Sequence, residues 1–514
     1  MNYLMSIDLG STSLKASIYD LQGKRVASAS RPTEKCADSE NPDWITWNPD
    51  QIWGGSAAVV KEALAQIADP SFVKAVAVTG MGMDGVPVDG SGNHLYPFIS
   101  WHDPRTAEQA EWWAQNIGAE RTFEIAGLPA WAITAVMRIL WMNQHQPEIM
   151  AKAEKWLLIE DFINHKLSGR FATDFSMATC MLLFDQKKQA WSDELIKASG
   201  INPELLPQPM QSGTLLGNIT PGAAALTGLS TDTAVVLGGH DHICGTLPVG
   251  AYKPGTIFDV MGTWESVIAS IPEAVTTPVI QNAGICMQSH VVPGIYAAWG
   301  GAPSGESLEW YRKTLGFDTE MQQEEDWGVI CKRISRKMEE TKPGAGGALY
   351  LPYISSAGCP VNDDKAMGAF VGLSVSIRKE DLFRAVIEGV NYQFLDIMHA
   401  MESGLGETFD KIIVAGGIAR NEFLVQNKAD MLGRPVMVAA NTDATPLGAA
   451  MLAGVGIGLY ESIDHAYEMV KDSSKVYTPN LRLTAEYADL YKIYKELYPA
   501  VKPLSHKLFN RFKG

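Results

Sequence analysis

Short blocks of apolar residues open the chain. Residues 3–7, 15–19 and 25–30 each read as a strand, the last two joined across Asp20-Leu21-Gln22-Gly23. The period then changes. Asn48-Pro49-Asp50 offers a capping side chain and a proline at the first helical position. Ile52, Trp53, Val59, Val60, Ala63, Leu64 and Ile67 follow at helical spacing. An unbroken apolar run predicts a buried strand at 73–79, and 147–167 reads as largely helical. From about residue 251 the scheme starts again. Residues 256–261 and 266–270 predict a hairpin around Gly262-Thr263, and helices are expected at 305–315 and 379–403. A strand at 411–414 leads into Ala415-Gly416-Gly417 and a helix from Asn421; a strand at 435–439 and a helix at 445–456 close the pattern. The fold class is α/β. With no Pro- or Ser-rich linker in view, the expected division is 1–250 and 251–514, with a hinge at 245–255.

Both halves end strands in the same chemistry. One strand reaches Asp8-Leu9-Gly10-Ser11-Thr12, another reaches Gly238-Gly239-His240-Asp241, and the second hairpin turns at Gly262-Thr263. Glycines let backbone N–H groups approach phosphate oxygens, hydroxyls add donors, and a carboxylate holds a divalent cation or takes a proton. Phosphoryl transfer needs that combination. Two other glycine-rich readings fail. Gly80-Met81-Gly82-Met83-Asp84-Gly85 has the spacing of a dinucleotide loop, but a strand and turn are expected after it where that fold demands a helix. No phosphate-binding loop with a Gly-Lys-Ser/Thr ending occurs. His240-Asp241-His242 looks like a metal cluster, yet in an extended segment the two imidazoles point away from the carboxylate, and no further ligand stands at suitable spacing.

Composition narrows the class. The chain has 514 residues, 46% hydrophobic and 19% charged, enough for two large cores. A net charge of −16 argues against a phosphate-backbone partner. The basic residues Lys502, Lys507, Arg511 and Lys513 read as a solvated helix end. Six scattered cysteines without a C-x-x-C pair fit reduced thiols rather than a disulfide framework or a zinc site. No run long enough to span a membrane and no leader segment is read, so the expected location is the cytoplasm.

These residues carry a resemblance. Asp8-Leu9-Gly10-Ser11-Thr12-Ser13-Leu14-Lys15 resembles the first phosphate motif of the actin-like ATPase superfamily, Asp241 with Gly262-Thr263 the second, and Val414-Ala415-Gly416-Gly417-Ile418-Ala419-Arg420-Asn421 the adenosine motif. Gly368-Ala369-Phe370-Val371-Gly372-Leu373, seven residues, then Asp381-Leu382-Phe383-Arg384-Ala385-Val386-Ile387-Glu388 resembles the C-terminal signature of the FGGY carbohydrate kinases. Blocks at 156–161, 167–169, 174–176 and 443–450 fit the same family in order, so the likeness runs from about residue 2 to 480. Arg138, Met367 and Asp443 depart from the family's usual Lys, Arg and Glu, and are expected to bear on the sugar rather than on the phosphate or base positions.

The resemblance implies two ribonuclease-H-like domains around a cleft and ATP-dependent phosphorylation of a sugar hydroxyl. It implies Asp241 as general base, Asp8 facing Mg²⁺, and Gly10, Ser11, Thr12, Lys15, Gly262 and Thr263 around the phosphates. Gly416, Gly417 and Asn421 are implied at the nucleoside; Met83, Asp84, Trp101, His240 and Asp241 at the sugar, with Glu265 a further pocket wall. Met83-Asp84-Gly85, Gly239-His240-Asp241 and Gly262-Thr263-Trp264-Glu265 resemble the branch acting on 6-deoxyketohexoses; xylulokinase- or gluconokinase-type chemistry is the alternative. A catalytically silent actin-like regulator is the other class, and retention of Asp8, Thr12, Asp241 and Thr263 argues against it. The partners implied are ATP and a small sugar, with a homodimer left open.

Overall fold

The computed structural model describes residues 1–316, 322–440 and 443–512, so Lys513 lies outside the described residues. The first three strands form an antiparallel meander, β1 (Tyr3–Leu9), β2 (Ser13–Tyr19) and β3 (Arg25–Pro32). After helix α1 (Pro49–Leu64) the chain returns as β4 (Val73–Gly80), parallel to β1. Asn48 Oδ1 accepts from the Asp50 and Gln51 N–H groups, the cap its sequence predicts. The edge strand β5 (Leu215–Asn218) and β6 (Ala234–His240) complete the order β5-β6-β4-β1-β2-β3.

The second sheet repeats that plan with β7 (Thr256–Met261), β8 (Trp264–Ile271), β9 (Cys286–Ser289), β10 (Tyr296–Pro303), β11 (Lys411–Ala415), β12 (Val436–Val438) and β13 (Lys475–Tyr477). Its order is β9-β10-β8-β7-β11-β12-β13. In both sheets the first strand is central and antiparallel to the second, and it is parallel to a later strand, β4 in the first sheet and β11 in the second. β10-β8-β7-β11-β12 therefore restates β3-β2-β1-β4-β6, the ribonuclease-H-like arrangement.

The helices that matter for the cleft are α2 (Ile159–Ser168), α3 (Asp241–Cys244), α4 (Gly305–Thr314), α5 (Lys379–Leu405), α6 (Glu422–Leu432), α7 (Ala444–Gly456) and α8 (Leu481–Phe512). One expected helix is wrong in part. Residues 147–167 split into a short helix, a strand (Lys155–Leu158) and α2. Trp156, Leu157 and Leu158 pair with Val86 and its neighbours on Gly85–Val88, and a three-residue apolar run carries no period to separate strand from helix. The basic end of α8 is not merely solvated: Lys502 Nζ stands 3.1 Å from Asp363, which also accepts from Tyr498 and pairs with His506. All six cysteines are unpaired. No described helix is long and apolar enough to cross a membrane.

α7 belongs to the second half in sequence but packs on β1, β4 and β6 of the first sheet. Its apolar cluster runs from Leu4, Ala75 and Val236 through Leu447 and Ala450 to Phe258, Ile268 and Ile413 of the second sheet. Small residues permit the approach. A Cβ at Gly448 would stand 1.9 Å from the Cys244 carbonyl oxygen, and one at Gly456 would stand 2.6 Å from the Gly213 carbonyl oxygen.

This packing reverses the usual sign of a helix substitution. Gly→Ala inside a helix ordinarily stabilises by about 1 kcal/mol. Gly54 in α1 is exposed with nothing within 4 Å of the added methyl, so Gly54→Ala should raise the melting temperature. Gly448→Ala should lower it, by about 1–3 kcal/mol of overpacking. Calorimetric melts of both variants check this, and a stabilised Gly448→Ala would mean the α7 contact is loose.

Candidate active site

The site begins where two parallel strands end. β6 runs through Gly238 and Gly239 to His240 and hands over to α3, whose first residue is Asp241. A Cβ at Gly238 would lie 1.9 Å from the Val78 carbonyl oxygen, so glycine is what lets β6 close on β4 here. Thr79 Oγ1 donates to the Gly239 carbonyl at 2.7 Å. Ser176 Oγ accepts from the His240 N–H at 2.9 Å and donates to Asp174 Oδ1. A buried carboxylate thus fixes the strand end that presents Asp241, a support the sequence did not disclose.

The expected alternation at His240-Asp241-His242 does not hold, because the strand stops at His240 and a helical turn follows. Both imidazoles flank the carboxylate instead: His240 Nδ1 is 3.6 Å and His242 Nε2 is 3.7 Å from Asp241 Oδ1. Asp241 Oδ1 also accepts from the His242 N–H at 2.6 Å. Burial pushes His240 down to about 4, so its ring is neutral beside Asp241. Glu160 is buried nearby, and burial, then Asp174, Asp161 and Asp241, hold it well above the usual range.

Asp8 stands at the end of β1, next to β4 and paired across β2 with Lys15. Burial and the nearby Asp241 and Asp443 carboxylates push it up to about 7, against the opposing pull of Lys15. A cavity of about 240 Å³ is lined by Asp8, His242, Gly245, Gly416, Asp443 and Thr445. Gly10, Ser11 and Thr12 form the turn beyond Asp8, closed by a Gly10 N–H to Ser13 carbonyl bond of 3.0 Å. Residues distant in sequence thereby meet at one corner. Asp443 is the one sequence reasoning misplaced. Its carboxylate accepts from Lys15 Nζ at 2.7 and 2.6 Å and from Arg25 Nη1 at 2.5 Å. It lies on the Asp8 side of the cleft, not away from the phosphate positions.

The second sheet lines the same cavity with Phe258, Val260, Ala415 and Gly416, and the hairpin turn at Gly262 and Thr263 is not part of that lining. Gly262 and Thr263 turn the β7–β8 hairpin, and their carbonyls accept from the N–H groups of Gly305 (3.1 Å) and Ser304 (3.2 Å) where α4 begins. Gly416, at φ +99°, would place a Cβ 2.5 Å from the Met261 carbonyl oxygen, so glycine alone fits between the adenosine-motif loop and the hairpin. Gly417 has open space around it. Asn421 is buried; its Oδ1 caps α6 through the Leu424 N–H and accepts from Ser335 Oγ at 3.2 Å.

Glu265 is not a pocket wall. It is 3% exposed and bound to Lys428 Nζ at 2.6 Å, and Lys428 also binds Asp259 and lies over the Phe394 ring. Burial and then Glu265 push the Asp259 carboxyl up, and Lys428 opposes the shift. The signal was available only as a buried-position pattern, which the hairpin motif concealed.

Asp84 forms a second corner. It is fully buried; Oδ2 accepts from Trp47 Nε1 at 2.7 Å, while Oδ1 has no hydrogen-bond partner and lies 3.7 Å from Arg138 Nη2. Burial pushes Asp84 up to about 7, with Arg138, Trp47 and the Trp101 N–H resisting. Arg138 itself is spent on the carbonyls of Ile99, Ser100 and Thr134. Met83 holds φ at +80°, a costly conformation for a side-chain-bearing residue. Trp101 is exposed and stacks on His102 at 3.7 Å. Gly82 links the two corners, since a Cβ there would stand 2.8 Å from the His240 ring.

Comparison with known proteins agrees with this geometry. The models "FGGY family of carbohydrate kinases, N-terminal domain" and "C-terminal domain" match residues 3–248 and 259–457. A xylulose kinase of Lactococcus lactis subsp. lactis (strain IL1403) is 28% identical, over 99% of this chain and 99% of that protein. An L-fuculokinase of Escherichia coli (strain K12) is 28% identical, over 93% of this chain and 97% of its own length. The solved xylulose kinase from Rhodospirillum rubrum superposes with a TM-score of 0.88 at 27% identity, covering 98% of this chain and 100% of that one. Two ribonuclease-H-like sheets, a carboxylate-bearing corner and a glycine-lined one, and a family match across most of the length leave one assignment: the chain belongs to the FGGY family of carbohydrate kinases, enzymes that use ATP.

Proposed function

We propose that the protein transfers the γ-phosphoryl group of ATP to a terminal hydroxyl of a ketose, with Asp241 as general base. The observation that carries this reading is Asp8 in one cavity with Gly416, with the Asp241 carboxylate near enough to push Asp8 up. As the hydroxyl oxygen attacks the γ-phosphorus, its proton passes to Asp241 and the bond to the β-phosphate oxygen breaks, releasing ADP. His240, held neutral by burial, flanks the Asp241 carboxylate at 3.6 Å. Asp8 is the residue to hold Mg²⁺, a fit supported by its carboxylate lining the cavity beside the Gly10–Thr12 turn and lacking full compensation from Lys15. When bound, the cation supplies charge neutralisation at the β- and γ-phosphates. Gly10, Ser11, Thr12, Lys15, Gly262 and Thr263 receive the phosphates, and Gly416, Gly417 and Asn421 the nucleoside. Two units dividing near residue 250 close on the cleft and exclude water, which would otherwise take the phosphoryl group.

The acceptor lies against Met83, Asp84, Trp101 and His240. Asp84 Oδ1 is a buried acceptor without a donor, and a sugar hydroxyl supplies one. Both named relatives act on ketoses, so the ketose class rests on them jointly with the motifs. A 6-deoxyketohexose comes first, from Met83-Asp84-Gly85 with His240 and Trp264. A xylulose-type acceptor is the second reading, favoured by the equal 28% identity to the xylulose kinase.

Asp241→Asn should lower kcat by about 10²–10⁴-fold, the usual range for a lost general base, with the ATP KM within threefold of wild type. Near-normal turnover on a good acceptor would remove the base assignment.

Asp84→Asn should raise the acceptor KM strongly and the ATP KM little. It also carries a pH signature. With its folded pKa raised from 3.8 to about 7, Asp84 contributes stability that is complete below the lower value and lost as pH rises through the upper one. Ligand-free protein should therefore melt lower at pH 8 than at pH 6. Asp84→Asn should flatten that difference, by up to about 1.4 kcal/mol per pH unit. An unchanged slope would place the charge elsewhere.

The acceptor itself is settled by kcat/KM for L-fuculose, L-rhamnulose, D- and L-xylulose, D-ribulose, glycerol and gluconate. The 6-deoxyketohexoses are expected to lead. A pentulose or gluconate ahead by more than about tenfold, or 1.4 kcal/mol of transition-state discrimination, would move the enzyme to another branch with its kinase chemistry intact.

A further inference from the structure

We propose that Asp443 is a positioning residue for catalysis: it holds the Lys15 ammonium at the phosphate corner, and ties that placement to the second half of the molecule. The inference rests on the reading that Lys15 faces the nucleotide phosphates. Lys15 and Asp8 are cross-strand partners on β1 and β2, so their side chains leave the sheet on the same face. A lysine stem is flexible, and an unanchored ammonium spends little time at one point. Here both oxygens of Asp443 grip it, at 2.7 and 2.6 Å.

Asp443 makes that grip by giving up another role. It stands at the N-cap position of α7, where an aspartate ordinarily accepts from the first N–H groups of the helix. Its backbone is at φ −118°, ψ 48°, and its side chain makes no capping bond. The carboxylate is turned outward to Lys15 and Arg25. Lys15 and Arg25 both bind this carboxylate, so Asp443 anchors two cations beside the cavity that it and Asp8 line. α7 carries this carboxylate at the boundary between the sheets, and Gly416 lines the same cavity. The ammonium is therefore placed relative to both halves, not to β2 alone. The bland alternative is an ion-pair strap that holds the halves together and touches no step of catalysis.

A double-mutant cycle separates the two. Lys15→Met, Asp443→Asn and the double variant are assayed in the full-length enzyme for ATP KM, acceptor KM and melting temperature. Lys15→Met should raise the ATP KM at least tenfold, and Asp443→Asn at least fivefold with the acceptor KM within twofold. The double variant should match Lys15→Met within twofold, because Asp443 acts through Lys15. Asp443→Glu, which keeps the carboxylate, should recover most of the loss. Asp443→Ser removes the charge while installing a capping side chain, and must reproduce the Asp443→Asn pattern should that variant not fold. An ATP KM unchanged by Asp443→Asn or Asp443→Ser, while Lys15→Met raises it, would overturn the proposal alone. Additive losses in the double variant would also overturn it. An ATP KM unchanged by Lys15→Met would overturn the phosphate role of Lys15 first, and the proposal with it.

Discussion

The cleft depends on how closely two sheets can approach one intervening helix. α7 has glycine at 448, 454 and 456 and alanine at 449, 450 and 453 on the surfaces it presents. Interiors are packed too densely to absorb an extra methyl where 1.9 Å separates a Cβ position from a carbonyl oxygen. That thinness brings the end of β6 and the head of α7 together, recorded in the Thr445 hydroxyl donating to the Asp241 carbonyl at 3.1 Å. A bulkier helix would separate Asp8 from Gly416 before any question of charge arose. Sequence composition at a handful of helix positions therefore sets the geometry in which phosphate chemistry is possible.

Within that geometry the carboxylates are only partly balanced by their neighbours. Asp8, Asp84 and Glu160 all lie above the ordinary carboxylate range, in each case first because of burial. A ligand-free carboxylate in such a place costs stability. The two corners relieve it differently: Asp8 shares its surroundings with Lys15, and Asp84 has Trp47 and a distant Arg138. Both retain capacity for a partner from outside. The contrast is Asp259, which is buried against Lys428 in the core and does not line the cavity that Asp8 lines.

Much of the fold was legible because it is written in strand periods. The β1–β3 meander, the β7–β8 hairpin and the α1 cap each announce themselves through alternation, turn glycines or a capping asparagine. What failed failed for local reasons. Lys155–Leu158 is too short to show a period. The alternation expected at His240 to His242 assumed a strand that ends one residue too early. Lys428, Asp443 and Lys502 illustrate a different limit: each finds its partner more than a hundred residues away in sequence, at Asp259, Lys15 and Asp363. No spacing rule reaches that far. The motif positions at Asp8, Gly416 and Asp241 could be named from sequence, but the charges that tune them could not.

The duplicated sheets also explain why one half carries the acid and the other the wall. Asp8 lies two residues before Gly10, the position that Val260 occupies before Gly262. Both side chains line the same cavity, one as a carboxylate and one as an apolar surface. Asp259 sits one residue earlier. On a strand of period two, one step reverses the face, and its carboxylate enters the core, where Lys428 meets it. The second half thus keeps an acid at nearly the same place in its hairpin and turns it away from the ligand. That leaves its side of the cavity uncharged, with backbone and apolar groups opposite the carboxylates. A carboxylate at Asp8 and an apolar surface at Val260, in one cavity, follow from a single register difference between two copies of one strand plan.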